Sequence, residues 1–140
     1  MTTKNRIIEH LQAFGVKPSV QRIAIMNYMM NHYVHPTVDT VYNGLISEMP
    51  TLSKTTVYNT LKLLAQHGVV QELYIDEKNV RFDGDLSQHA HFRCKKCGQV
   101  YDMPLENVEL ANIKTKAGFV ITDCQLYYKG FCPKCKNREV

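Results

Sequence analysis

The first half of the chain is written in helical period. Ile7, Ile8, Leu11 and Phe14 share one face of a helix predicted over residues 3–14, and Gly15, free to take the left-handed conformation that closes helices, ends it. Ser19 supplies an N-cap for a second helix, in which Val20, Ile23, Met26 and Met30 recur at helical spacing through Asn31. Thr37 caps a third, with Val38, Val41, Tyr42, Leu45 and Met49 as its apolar face and Pro50 as its stop. Ser53 caps a fourth over residues 53–67, which turns Val57, Leu61 and Leu64 inward before Gly68 breaks it. The period then changes to two, and Val69–Ile75 and Val80–Phe82 read as strands around the turn Asp76-Glu77-Lys78-Asn79. Short helices followed by a hairpin predict a winged helix-turn-helix whose fourth helix is the recognition helix.

Asp83 to Gln88 is a polar stretch containing Gly84, which suits a hinge over residues 84–88. Beyond it the pattern predicts strands at about 90–94 and 99–103, a helix at about 105–117 ended by Gly118, and a long strand at about 119–129. On that last strand Val120, Thr122, Cys124 and Leu126 would share a buried face, with Cys124 as a small hydrophobe. The fold class is therefore α+β, with a DNA-binding domain over residues 1–83 and a small α/β domain over residues 89–140. Each half is too small to bury a generous core alone, so a metal and a second copy are expected to stabilise the latter.

Composition narrows the picture only moderately. At 140 residues and a net charge of +4, the chain is not histone-like, but it permits a local basic surface facing phosphates. No signal peptide and no apolar run long enough for a bilayer is present, and thiols arranged for metal suit a reducing cytoplasm.

The chemistry concentrates in His89-Ala90-His91-Phe92-Arg93-Cys94-Lys95-Lys96-Cys97-Gly98. Cys94 and Cys97 form one knuckle and Cys132 and Cys135 a second, and two such pairs supply the four thiolates of a tetrahedral structural zinc. Two disulfides or two redox pairs use the same residue types. His89 and His91, at strand spacing, place two imidazoles on one face. With His35, Asp83 and Asp102 they make up a five-ligand nitrogen and oxygen set suited to Fe(II), Mn(II), Co(II) or Ni(II). A cap at His35 or turns at Asp83 and Asp102 are the plainer alternatives. On the fourth helix Thr55, Thr56, Tyr58, Asn59, Lys62 and Gln66 face outward, while Arg22 lies near the start of the second. Hydroxyls, an amide and a cation on an exposed helix are groups that read base edges and phosphates in a major groove, although any solvated face is similarly polar.

These residues, taken together, resemble the ferric uptake regulator family of bacterial metal-dependent repressors. The likeness runs through Gln21-Arg22, His35-Pro36-Thr37, Thr55-Thr56-Val57-Tyr58-Asn59-Thr60-Leu61, His89-x-His91-x-x-Cys94-x-x-Cys97-Gly98 and Cys132-x-x-Cys135. Arg81-Phe82-Asp83 and Val100-Tyr101-Asp102 place Asp where the iron-uptake branch typically has Glu, and Asn59 stands where that branch usually has Arg, so the peroxide-sensing branch is the more similar. The resemblance implies a homodimer formed through a C-terminal dimerisation domain holding a four-cysteine Zn2+, a regulatory Fe2+ or Mn2+ on His35, Asp83, His89, His91 and Asp102, and binding to double-stranded operator DNA. It further implies that peroxide meeting the iron-loaded protein leads to oxidation of His35 and His89, after which metal and DNA are released. An iron-responsive repressor without peroxide sensing is the nearest alternative. A thiol oxidoreductase built on the Cys-x-x-Cys pairs is more distant, and a metallohydrolase lacks a spare carboxylate to act as base; the chain reads as a regulator, not an enzyme.

Overall fold

The computed structural model describes residues 2–32, 34–87, 89–105, 115–121 and 124–137. The chain forms two compact units, Met1–Leu86 and Ser87–Val140.

The first unit contains four helices, α1 (Thr3–Ala13), α2 (Val20–Asn31), α3 (Val38–Leu45) and α4 (Lys54–Gln66). Each begins at a hydroxyl cap: the side chains of Thr2, Ser19, Thr37 and Ser53 accept the backbone N–H groups of Asn5, Arg22, Thr40 and Thr56. The inward residues form one core that includes Leu11, Ile25, Met26, Met29, Val41, Val57, Leu61, Leu64 and Phe82. At Gly44 a Cβ would lie 2.4 Å from the Tyr28 ring, so α2 and α3 approach as closely as they do because no side chain stands there.

Two expectations change in this unit. Val20 is 74% exposed, because the buried face of α2 runs through Ile25, Met26 and Met29 instead of continuing back to the first helical residue. The third helix stops at Leu45, not at Pro50; Gly44 weakens its last turn, and the chain continues to the proline as turn. Met49 still folds back through its N–H to the Leu45 carbonyl at 2.9 Å.

Strands β1 (Gln71–Leu73) and β2 (Arg81–Asp83) complete the unit as an antiparallel hairpin, the wing. Asp76 shapes its turn, accepting the Lys78 N–H and the Arg81 guanidinium.

The second unit is a three-stranded sheet ordered β4-β3-β7, with β3 at Ala90–Cys94, β4 at Val100–Met103 and β7 at Tyr127–Gly130. The β3–β4 pair is antiparallel and β3–β7 parallel. A separate hairpin pairs β5 (Thr115–Lys116) with β6 (Phe119–Val120). The helix expected over 105–117 lies largely outside the described residues, and its last residues are strand β5. The single strand expected over 119–129 is two, because Phe119–Val120 ladders with β5 whereas Tyr127–Gly130 ladders with β3. Cys124 lies between them in irregular chain and is exposed, contrary to the expected buried strand face.

Candidate metal centres and nucleic-acid face

The four knuckle cysteines come together in the second unit. Their sulfurs all lie within 4.8 Å of one another, and Cys97 Sγ is 3.8 Å from Cys132 Sγ. A tetrahedron with metal–sulfur bonds of about 2.3 Å has edges of about 3.8 Å, whereas a disulfide needs about 2.05 Å. The turn after β3 makes this possible: Gly98 takes a φ of 77° and returns its N–H to the Cys94 carbonyl at 3.0 Å. Cys94 Sγ accepts the N–H groups of Cys97 and Cys132, both at 3.5 Å.

Burial pushes the Cys94 thiol up, but the N–H groups of Cys132, Cys97 and Lys96 outweigh it and bring it down to about 6. Cys135, buried and bonded to the neighbouring thiols, is pushed up to about 12. Tyr101, hydrogen-bonded to Cys132 and partly desolvated, is pushed up to about 12 and so remains a phenol that donates to sulfur. Four thiols so close can all ionise only around a cation, and a soft tetrahedral sulfur set fits Zn2+.

Each unit also brings imidazole and carboxylate together. In the first, His35 Nε2 lies 3.5 Å from Asp83 Oδ2, and Asp83 is only 1% exposed. A carboxylate so buried requires positive or hydrogen-bonding company. The segment carrying His35 is held against β2, because Arg81 Nη1 donates to the His35 carbonyl at 3.2 Å and the Phe82 N–H donates to the Pro36 carbonyl at 2.9 Å. His35 adopts a φ of 58°, in the left-handed region.

In the second unit the strand register sets His91 opposite Asp102. Asp102 Oδ1 lies 3.1 Å from His89 Nε2 and 3.6 Å from His91 Nε2, with the two rings 4.5 Å apart. His89 Nδ1 lies 2.7 Å from the Ser87 carbonyl, an acceptor that orients the ring and turns Nε2 toward Asp102. Both groups offer only nitrogen and oxygen donors, a chemistry that fits Fe2+ or Mn2+.

The polar face of α4 stands clear of the core. Thr55, Tyr58, Asn59 and Gln66 are exposed, Thr56 and Lys62 half-buried. A cleft of about 390 Å³ runs between the start of α2 and α4, lined by Lys17, Ser19, Gln21, Arg22, Thr56 and Asn59. Arg22 is aimed by a 2.8 Å bond from Nη1 to the Lys17 carbonyl. Lys62 is engaged within the protein, 2.7 Å from Glu72 Oε1 on β1.

Sequence reasoning passed over Glu72 and the Ser87 carbonyl and gave Arg81 and Tyr101 no role of their own, though each positions a candidate residue. Arg81 had a signal, since it precedes Asp83 by two residues and so shares its strand face.

No helix among the described residues is long and apolar enough to cross a membrane. Comparison with known proteins matches the ferric uptake regulator family model to residues 13–129. The peroxide operon regulator of Bacillus subtilis is 37% identical over 136 residues, 94% of this chain and 92% of that protein. The peroxide-responsive repressor PerR of Staphylococcus epidermidis is 36% identical, over 93% of this chain and 88% of its own. Among solved structures, PerR from Streptococcus pyogenes, described for peroxide sensing and gene regulation, matches with a TM-score of 0.53 and 30% identity over 97% of this chain and 95% of its own. The ferric uptake regulator of Pseudomonas aeruginosa with manganese matches in fold, with a TM-score of 0.74 at 21% identity over 94% of this chain and 99% of its own. With the family model covering residues 13–129, most of its length, this chain belongs to the ferric uptake regulator family.

Proposed function

We propose that the protein is a cytoplasmic, metal-dependent transcriptional repressor that senses hydrogen peroxide. The observation carrying this reading is the pairing of buried histidine with aspartate in both units, His35 with Asp83 and His91 with Asp102, as nitrogen and oxygen donors without sulfur. In this reading His35, Asp83, His89, His91 and Asp102 ligate one Fe2+ or Mn2+, residues 84–88 act as the hinge between a DNA-binding domain over 1–83 and a dimerisation domain over 89–140, and the four cysteines hold a structural Zn2+. The names of the most similar relatives support peroxide as the signal.

The chain's own residues then have distinct tasks. Asp83 and Asp102 orient the imidazoles and balance the ion's charge, while the Ser87 carbonyl keeps His89 Nε2 available as a ligand. Ligands drawn from both domains make metal binding favour one interdomain arrangement, and a homodimer in that arrangement presents two α4 helices to a two-fold operator. The exposed apolar hairpin residues Phe119 and Val120 suit burial by a second copy. On α4, Thr55, Thr56, Tyr58 and Asn59 read bases, and Arg22 meets the phosphate backbone. When bound, Fe2+ supplies one-electron chemistry toward peroxide that Mn2+ does not readily supply; His35 and His89 are the imidazoles exposed to its product. An oxidised ring binds metal poorly, so the arrangement is lost and the operator released.

The test is operator binding by the Fe2+-loaded and Mn2+-loaded protein across a peroxide titration, with mass spectrometry of the His35 and His89 peptides. Release of DNA by the Fe2+ form alone, with oxygen added to those peptides, is expected. Equal resistance of the two forms would leave an iron-responsive repressor.

A further inference from the structure

The helix that reads DNA in the proposed function carries two lysines, and both end on acids of the same unit. Lys54 Nζ lies 3.3 Å from Asp39 Oδ1, and Lys62 Nζ lies 2.7 Å from Glu72 Oε1. The pairs are unlike. Lys54 and Asp39 are 58% and 65% exposed, in the range where ion pairs contribute almost nothing, whereas Lys62 and Glu72 are 33% and 16% exposed. The Tyr74 hydroxyl donates to the second carboxylate oxygen, Oε2, so both Glu72 oxygens are engaged at once. The bond it donates to Glu72 holds Lys62 above its ordinary range. Burial raises Glu72, but the bonds from Lys62 and Tyr74 outweigh this and hold it below its own. Both groups thus stay charged and committed to each other. Tyr58, one turn before Lys62, shares its face of α4.

A lysine on a recognition helix ordinarily strengthens binding to every sequence by meeting a phosphate. In a loose complex with random DNA, its long side chain finds a phosphate in almost any register. In a complex fixed by base contacts, it gains one only where a phosphate lies within reach. Neutralising that lysine therefore weakens random binding more than operator binding.

We propose that Glu72 is a specificity-determining residue: it holds Lys62 off the phosphate backbone, suppressing affinity for random DNA and leaving discrimination to the base-reading residues of α4. The inference rests on the reading of α4 as the DNA-contacting helix, and the experiment separates the two. The Mn2+-loaded protein is used to select a duplex from a random-sequence pool. Wild type, Glu72→Gln and Lys62→Met are then titrated against that duplex and a shuffled one between about 50 and 200 mM salt.

Glu72→Gln is expected to bind the shuffled duplex roughly five- to tenfold tighter at 0.1 M salt, with the salt slope steeper by about 0.9, as for one added phosphate contact. Its gain on the selected duplex should be smaller, so the specificity ratio falls. Lys62→Met should change the shuffled-duplex slope by well under half a unit. An unchanged slope in folded Glu72→Gln, or loss confined to the selected duplex, would overturn the inference; the latter would make Glu72 itself a base reader. If Glu72→Gln does not fold, Lys62→Met decides: loss of a full unit of slope means that Lys62 already meets a phosphate. If wild type selects no duplex at all, it is the DNA-binding reading that fails.

Discussion

The sulfur site and the imidazole–carboxylate donors both draw on strand β3, through Cys94 and His91, yet they are built on opposite plans. All four cysteines lie in one unit, their sulfurs gathered by two knuckles and backbone N–H groups. The histidines and aspartates are shared out, two residues in the first unit and three in the second. A site enclosed within one unit can only hold that unit together. In the proposed function, one ion taking donors from both units would report its presence as a change in their arrangement, at the cost of weaker intrinsic binding. Soft sulfur goes with the permanent role and harder nitrogen and oxygen with the exchangeable one.

The contrast is broken most severely on the sulfur side. Cys132→Ser should abolish zinc retention and with it the cooperative folding of the second unit, since a structural zinc contributes on the order of 10 kcal/mol or more and a small domain has little more in total. Zinc analysis after dialysis and thermal melting check this; a zinc-free variant that melts like wild type would make the cluster dispensable. His91→Ala should be gentler and different in kind. It keeps the zinc and the fold, while affinity for Mn2+ falls by on the order of 100-fold and metal-dependent operator binding falls with it. Titration of Mn2+ with operator binding as readout, beside zinc analysis of the same sample, shows whether the two sites separate.

Asp102→Glu should have the smallest effect. The carboxylate and its charge are retained, so Mn2+-dependent operator binding should stay within roughly tenfold of wild type. One added methylene alters how the oxygen meets His89 and His91, now 3.1 and 3.6 Å away, and peroxide sensitivity of the Fe2+ form should decline. Equal peroxide responses would show that the length of this side chain does not set the sensing.

The helices of the first unit were legible because caps and apolar period act locally: Ser19, Thr37 and Ser53 cap the helices whose starts they mark. The four cysteines were legible for a related reason, since knuckle spacing is itself the geometry of a tetrahedral ligand pair. What failed depended on partners distant in sequence. The alternation from Val120 to Leu126 resembles one strand, and only the ladders show that β6 belongs with β5 and β7 with β3. Val20 fits the helical period but stands beyond the area its neighbours cover. Glu72 carries no motif, and its importance arises only when the wing brings it to Lys62.

One feature of the sheet constrains how such a protein can change over generations. Tyr101 and Asp102 are adjacent on β4, so their side chains leave opposite faces, Tyr101 toward Cys132 and Phe92 and Asp102 toward the histidines. A one-residue slip of β4 against β3 would exchange those faces and disturb both candidate donor sets together. The connection through Cys97 and Gly98 is therefore locked in length, and lineages can vary the donors by substitution far more readily than by insertion or deletion between Cys94 and Val100.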